Sequence, residues 1–111
     1  MKIKIGLIPA IKETYKNQFS YIVDVKWFSF LRKIYVNPEI ILINEKKLPK
    51  LNLIIITGGN GSYKIDKKRE NFIRENFDKT IIKQAIKKKI PCLGICWGAQ
   101  SIALHFNGKL K

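Results

Sequence analysis

The residues with the clearest potential for chemistry are 94–100, which read Gly-Ile-Cys-Trp-Gly-Ala-Gln. A nucleophile between two glycines, where a predicted strand meets a predicted helix, is the pattern of a nucleophile elbow. The glycines lack a Cβ, so the chain can turn sharply and other backbone can approach closely. Such a turn lifts the Cys96 sulfur above the sheet at the positive N-terminus of the next helix, which favours the reactive thiolate and offers N–H groups to an oxyanion. The spacing alone also fits a small buried cysteine in a glycine-rich turn.

Two further features could form sites, and both lack the residues that would complete one. Residues 58–61, Gly-Gly-Asn-Gly, could cradle a phosphate, but they match neither the dinucleotide-binding nor the P-loop spacing. Cys92 and Cys96 are four positions apart, and no histidine or third cysteine completes a metal-ligand set. Two cysteines make no disulfide framework, and in a reducing compartment both should be free thiols. We therefore expect neither a metal nor a cofactor.

The elements that must position these residues alternate between strand and helix. Hydrophobic periodicity predicts strands at 3–8, 39–43, 51–57 and 92–95, and helices at 20–35, 66–88 and 98–106. Residues 10–19 are mixed and polar and are predicted to form a loop. Because strands alternate with helices of crossover length, the order β-α-β-β-α-β-α predicts an α/β fold, with a mainly parallel sheet and flanking helices.

The long helix predicted at 66–88 has one apolar face and a charged remainder. The residues expected on the buried face recur at helical spacing: Phe72, Phe77, Ile81, Ile82, Ala85 and Ile86. Lysines and arginines are predicted to cover the rest of the helix. Asp66, Glu70 and Glu75 are predicted to be solvated surface.

Length and composition restrict the class of protein. At 111 residues the chain is one domain, and its 46% hydrophobic content suffices for a buried core. The longest purely aliphatic runs have four residues, whereas a membrane span needs roughly 20, so we expect no membrane partner. The N-terminus has no long apolar stretch followed by a small-residue cleavage site, which predicts a cytoplasmic protein without a secretory signal.

The net charge of +14 suggests a nucleic-acid binder, but the residue types that carry the charge indicate another origin. Of the 22 basic residues 19 are lysine and 3 are arginine, whereas nucleic-acid readers favour arginine for bidentate contacts. Lysine, isoleucine and asparagine make up 47 of the 111 residues, a composition typical of an AT-rich genome. We interpret the charge as solvated surface and keep a basic nucleic-acid binder as an alternative.

The sequence around Cys96 resembles the nucleophile motif of the class I glutamine amidotransferases and the related γ-glutamyl hydrolases (peptidase family C26). The similarity extends upstream through parts of 74–94 and through 57–60, Thr-Gly-Gly-Asn, which resembles the family's oxyanion loop. Residues 107–110 resemble the segment after the elbow helix. The resemblance implies a flavodoxin-like domain of this family that acts on glutamine or another γ-glutamyl small molecule.

The resemblance assigns roles to individual residues. Cys96 matches the nucleophile that attacks a γ-glutamyl carbonyl and forms a γ-glutamyl thioester. The backbone N–H groups of Gly59 and Trp97 match the oxyanion hole. Because the family varies at the position of Trp97, its side chain is also a candidate for substrate contact. By the same match, the substrate-binding candidates are Gly58, Asn60 and Gln100.

The chain departs from the family pattern at the general base. The family's cysteine works with a His-x-Glu pair roughly 70–110 residues further on, in which the histidine transfers protons and the glutamate orients it. The single histidine, His105, lies nine positions after Cys96, and nine residues of helix rise about 13 Å, beyond hydrogen-bond reach. We expect His105 to pack against its helix or to be partly exposed. The chain thus looks like the N-terminal half of such a domain, inactive or nearly so alone.

Three interpretations of the function are open at this point. The first is a γ-glutamyl amidohydrolase whose base lies on a second chain or on a longer form of this one, with a synthase as a further candidate partner. The second is a non-catalytic module that binds a ligand or a protein partner, and the third is the nucleic-acid binder. Since a half-domain leaves a sheet edge and apolar helix sides uncovered, we expect poor solubility or self-association of the chain alone.

Overall fold

The computed structural model describes residues 2–107, which form six strands and three helices. In chain order these are β1 (Lys4–Ile8), β2 (Ala10–Tyr15), β3 (Gln18–Ile22), α1 (Lys26–Ile34), β4 (Glu39–Leu42), β5 (Leu53–Ile56), α2 (Arg69–Lys88), β6 (Cys92–Gly94) and α3 (Trp97–His105). Four strands form one sheet in the order β4-β1-β5-β6, and β2 and β3 form a separate hairpin.

All pairings in the four-stranded sheet are parallel, as the alternation of strands and helices predicts. Gly6 of β1 lies beside Ile41 of β4 on one side and beside Ile54 of β5 on the other. Residues 54–56 are at most 2% exposed, because helices cover both faces of this strand. Aliphatic side chains on both faces suit such a position. The predicted α/β, flavodoxin-like fold with a mainly parallel sheet and flanking helices is confirmed.

Alternation along the central strands divides the core into two layers. One layer joins β1 and β5 to α2 through Ile8, Ile54, Ile56, Phe77, Ile81, Ile82 and Ala85. The other joins the opposite faces of the same strands to α1 through Ile5, Leu7, Ile55 and Leu31. Ile102 of α3 packs against the first layer, so α2 and α3 lie on the same face of the sheet.

Residues 10–19 were predicted to form a loop, and this prediction is wrong because they contribute to a hairpin. β2 and β3 pair antiparallel, and Asn17 has a positive φ of 65° in the turn between them. Asparagine tolerates this left-handed conformation better than most residues. The hairpin is hard to predict because most of its side chains are half-buried or exposed, so its alternation of apolar and polar residues is weak.

Helix α1 is shorter than the predicted helix at 20–35 because an aspartate fixes its start. The Asp24 carboxylate accepts a hydrogen bond from the Lys26 N–H at 2.8 Å, and the Asp24 carbonyl accepts one from the Trp27 N–H at 3.1 Å. These bonds satisfy N–H groups that the first turn of a helix leaves without partners. Residues 20–22 upstream belong to β3 instead.

The burial of several side chains on helix α2 differs from the prediction. Phe72 and Ile86 were expected on the buried face, yet they are 52% and 50% exposed. The prediction that arginines cover the solvated side is wrong for Arg74, which is fully buried. Glu70 is also not solvated surface, since its mostly buried carboxylate pairs with Lys12 at 3.2 Å.

The face of the sheet that packs on α1 is only partly covered. Leu93 of β6 stands in register with Ile55 of β5 and so lies on the same face, yet it is 49% exposed whereas Ile55 is buried. Among the described residues β6 pairs with β5 alone, so its outer edge has unpaired backbone groups. No helix within residues 2–107 has both the length and the apolar character to cross a bilayer.

Candidate active site

The nucleophile turn, residues 94–98, connects β6 to α3 and exposes its cysteine. Cys96 lies immediately before α3, with φ 55° and ψ −110°. A residue with a Cβ rarely adopts this conformation, and such backbone strain clusters at functional sites. The turn thus has the geometry of an elbow, with an accessible thiol at a helix N-terminus.

Two glycines let α3 pack directly on the neighbouring strands. A Cβ on Gly98 would lie 1.9 Å from the Ile56 carbonyl oxygen, and a Cβ on Gly94 would lie 2.5 Å from the Gly98 backbone. Neither distance is sterically possible, so these positions require glycine. The spacing Gly-x-Cys-x-Gly therefore brings β5, β6 and the first turn of α3 together around Cys96.

The glycine loop, residues 57–60, follows β5 and lies against the nucleophile turn. A Cβ on Gly58 would lie 3.1 Å from the Cys96 Cβ and 3.8 Å from its sulfur, so the loop is within van der Waals reach of the thiol. Gly59 has a φ of 102°, and a Cβ there would lie 2.8 Å from the Ala10 Cβ. Because β5 and β6 are parallel neighbours, the loop and the turn both begin at the carboxyl end of the sheet.

Two backbone N–H groups near the thiol have no backbone partner. Among residues 2–107, neither the Gly59 N–H nor the Trp97 N–H takes part in a backbone hydrogen bond. Trp97 begins α3, where the first N–H groups lack intrahelical acceptors. Gln100, one turn further along, is exposed, and its N–H binds the Cys96 carbonyl at 3.2 Å. The predicted site residues thus lie together at the carboxyl ends of β5 and β6. Their roles toward a substrate stay predictions.

A buried arginine joins the glycine loop to α2. The Arg74 guanidinium donates to the Thr57 carbonyl at 2.6 Å, to the Asn60 side-chain oxygen at 3.1 Å and, more weakly, to the Gly58 carbonyl at 3.4 Å. Its Nε lies 3.0 and 2.8 Å from the two carboxylate oxygens of Asp78. Both charged side chains are fully buried. A buried ion pair needs partners for its remaining donors, and the loop oxygens provide them.

The same aspartate holds the residue that follows the nucleophile. The Trp97 indole N–H donates to Asp78 Oδ2 at 2.8 Å, and the Trp97 side chain is 1% exposed. Burial raises the pKa of Asp78, while Arg74 and the indole N–H oppose that rise by stabilising the carboxylate. The suggestion that the Trp97 side chain contacts substrate is therefore wrong, because the indole points into the protein and anchors the first turn of α3.

Asn60 uses its side-chain amide within the protein. The amide oxygen accepts a hydrogen bond from the Ile11 N–H at 3.0 Å, and the amide nitrogen donates to the Ile11 carbonyl at 2.8 Å, as a neighbouring strand would. The buried Asn71 side chain accepts hydrogen bonds from Asn60 and from the Gly61 N–H. Asn60 thus fixes the glycine loop from within, and a contact with substrate stays a prediction.

The second cysteine and the histidine lie outside this cluster. Cys92 packs against the core layer beneath α2, and burial raises the pKa of its thiol. His105 is the last residue of α3, half-buried, with its ring centroid 5.2 Å from that of Phe106. It lies at the opposite end of the helix from Cys96. Within residues 2–107, no group of three or more His, Cys, Asp or Glu side chains could hold a metal ion.

The burial of three polar residues that hold the site together is not evident from the sequence: Asn71, Arg74 and Asp78. A signal for two of them was present, because Arg74 and Asp78 are four positions apart, the spacing of an intrahelical ion pair. That spacing predicts the pair but not its burial. Burial depends on the acceptor at Thr57, 17 positions upstream, which the helix pattern does not reveal.

Comparisons with known proteins agree with the fold and with the resemblance of the elbow. A family model for glutamine amidotransferase class-I matches residues 13–111. A γ-glutamyl-CDP-amidate hydrolase of Campylobacter jejuni is 35% identical over 61 residues, a match that spans 55% of this chain and 30% of that protein. No solved structure matches the chain. With nearly the whole chain matched by the family model, the protein belongs to the class I glutamine amidotransferase family.

Proposed function

We propose that this chain carries the nucleophile of an amidohydrolase that cleaves γ-glutamyl amides through a thioester on Cys96. The observation that carries the proposal is the packing of Gly58 against an exposed Cys96 whose backbone is strained. The N–H groups of Gly59 and Trp97, the residues directly after Gly58 and Cys96, have no backbone acceptor within residues 2–107, and this supports the proposal. Membership of the amidotransferase family supports the reaction class.

The reaction begins when the Cys96 thiolate attacks the γ-carbonyl carbon. As the C–S bond forms, the carbonyl oxygen becomes an oxyanion, which the N–H groups of Gly59 and Trp97 stabilise. Collapse of the tetrahedral intermediate breaks the C–N bond, and the leaving amine takes up a proton. Water then hydrolyses the thioester, which releases glutamate and regenerates the Cys96 thiol.

The proton transfers need a general base close to Cys96. The chain's one histidine, His105, lies about 13 Å further along α3, too far to serve. We propose that a histidine oriented by a glutamate completes the site, either further along a longer form of the chain or on a second chain. The open edge of β6 and the exposed Leu93 offer surface for such a segment.

The substrate is proposed to be glutamine or another γ-glutamyl small molecule in the cytoplasm. The relative from Campylobacter jejuni is named as a hydrolase of γ-glutamyl-CDP-amidate, which makes a γ-glutamyl nucleotide a compound to test beside glutamine. If glutamine is the substrate, a synthase is the partner that would receive the ammonia. If a larger γ-glutamyl compound is the substrate, the released amine is itself a product.

Glutamate release tests the proposal. The chain is assayed alone and together with any downstream or separate segment that encodes a His-x-Glu pair, with glutamine and γ-glutamyl amides as substrates. We expect release only with the added segment, abolished by Cys96→Ala and retained in Cys92→Ala. Glutamine binding without release in both preparations would contradict hydrolysis and favour a non-catalytic binding module.

A further inference from the structure

We infer that Arg74 and Asp78 are positioning residues for the oxyanion hole. They hold the glycine loop and the nucleophile turn at a fixed separation, and thereby set the distance between the Gly59 and Trp97 N–H groups. The inference rests on the proposed function, because this distance matters only if a carbonyl is attacked beside Cys96.

The two N–H groups belong to segments that the sheet alone does not hold together. The last paired residues of β5 and β6 are Ile56 and Gly94, followed by a hydrogen bond from the Ile95 N–H to the Ile56 carbonyl. Gly59 and Trp97 both lie beyond this point. Close backbone packing of Gly98 on Ile56 places the start of α3, and side chains that reach from other elements fix the loop and the turn beyond the paired residues.

One continuous series of hydrogen bonds makes this connection. Arg74 binds the Thr57 carbonyl in the glycine loop and the carboxylate of Asp78, and Asp78 accepts the indole N–H of Trp97 in the nucleophile turn. The three side chains are at most 1% exposed, so water does not compete for these bonds. The low dielectric of the interior strengthens them further.

The side-chain chemistry of Arg74 and Trp97, the two ends of this series, explains why arginine and tryptophan suit these positions. The guanidinium of Arg74 presents several donors in a rigid fork, so it can bind Asp78, Thr57 and Asn60 at once, whereas a lysine would keep the charge and lose the fork. A phenylalanine at Trp97 would keep a packed ring and lose the N–H. Each substitution loosens one end of the series and leaves every backbone donor in place.

Two reactions of Cys96 separate positioning from simple thiol reactivity. An aryl ester of the γ-carboxyl of glutamate acylates the thiolate through an oxyanion, forming a C–S bond and expelling a phenolate that needs no proton. Iodoacetamide alkylates the same thiolate by displacing iodide, without an oxyanion. With the ester at saturating concentration, the ratio of the two rate constants, each corrected for the rate of Cys96→Ala, therefore reports on stabilisation of the oxyanion.

We expect Arg74→Lys and Trp97→Phe each to lower this ratio by about 10-fold to 100-fold, since a misplacement of about 1 Å can cost about 100-fold. The alkylation rate should stay unchanged. Arg69→Lys is the matched control, because it makes the same substitution on the same helix at an exposed arginine whose partner is Asn17. Its ratio should equal that of the wild type. Circular dichroism melts establish that each variant is folded.

Unchanged ratios in both variants would overturn the inference and leave the proposed function intact. An equal fall in acylation and alkylation would also overturn it, because it would indicate a general loss of structure around Cys96. If wild-type acylation does not exceed that of Cys96→Ala, the proposed function fails and the inference with it. If Arg74→Lys does not fold, the ratio of Trp97→Phe decides.

Discussion

The first turn of α2 and the turn that follows it bind their neighbours in contrasting ways. In the first turn Arg69 donates to Asn17 and lies over the Phe19 ring at 5.4 Å, in contacts that are largely exposed. In the next turn Arg74 forms a fully buried pair with Asp78, which lies a further turn along, and the pair is bonded to the glycine loop and to the nucleophile turn. An arginine therefore contacts the hairpin in one turn of α2 and holds the site in the next.

The two arginines differ in whether water can replace a lost partner. An exposed arginine that loses its partner is solvated at once, so the contacts of Arg69 with the hairpin contribute little to stability. A buried arginine or aspartate that loses its partner stays buried and unpaired, which costs several kcal/mol. Arg74 and Asp78 therefore contribute more to stability than the exposed contacts of Arg69 do.

The largest expected effect comes from the glycine on which α3 packs. Gly98→Ala forces a Cβ to within 1.9 Å of the Ile56 carbonyl oxygen, so we expect a loss of at least about 3 kcal/mol in unfolding free energy, or no native fold. Gly61→Ala is the control, since its Cβ would meet no heavy atom closer than 3.9 Å. Urea denaturation measures both, and wild-type stability of Gly98→Ala would refute the close packing.

Arg74→Ala and Arg69→Ala compare the two turns of α2 directly. Removal of Arg74 leaves Asp78 buried without its cation, so we expect a loss of about 3–5 kcal/mol. Removal of the exposed Arg69 should cost less than about 1 kcal/mol. The check is the difference in urea midpoints at constant slope, and similar losses for the two variants would remove the contrast between the regions.

A smaller, pH-dependent effect is expected at the hairpin. Burial alone would raise the pKa of Glu70, but hydrogen bonds from the Glu13 N–H and from Lys12 outweigh it and lower the pKa below its ordinary value of 4.5. The ionised carboxylate therefore stabilises the fold above pH 4.5, and this contribution is lost as the pH falls through the lowered pKa. Glu70→Gln should cost about 0.5–1.5 kcal/mol at neutral pH and nothing in strong acid.

Denaturation at neutral and acid pH measures this change. Glu39→Gln is the control, since Glu39 pairs with Lys4 at 3.9 Å on the surface and both side chains are nearly half exposed. It should have almost no effect at either pH. If Glu70→Gln lowers the free energy of unfolding equally at both pH values, the carboxylate charge does not stabilise the hairpin.

The sheet and the elbow could be predicted because their signals are local. The aliphatic run at 53–56 indicates a strand buried on both faces, and the spacing of Gly94, Cys96 and Gly98 indicates a sharp turn before a helix. Each signal lies in consecutive residues and reflects a steric requirement. The structure reproduces both, with bounds shifted by a residue or two.

The hairpin and the buried ion pair could not be predicted because they depend on distant partners. The hairpin is fixed partly by the Asn60 amide and by Glu70, which are about fifty residues away along the chain. Arg74 looks like any other charge on a basic helix until the loop oxygens that receive it are known. An arginine on a lysine-rich helix, with an aspartate four positions later, is the one feature that distinguished it.

The most direct test of the central claim is to find the residue that accepts a γ-glutamyl group. The chain is treated with an aryl ester of the γ-carboxyl of glutamate and digested, and its peptides are analysed by mass spectrometry before and after hydroxylamine. We predict a γ-glutamyl adduct on the exposed Cys96, removed by hydroxylamine as a thioester must be, and none on the half-buried Cys92. Acylation of Cys92 or of lysines with Cys96 unmodified would contradict the assignment of the nucleophile.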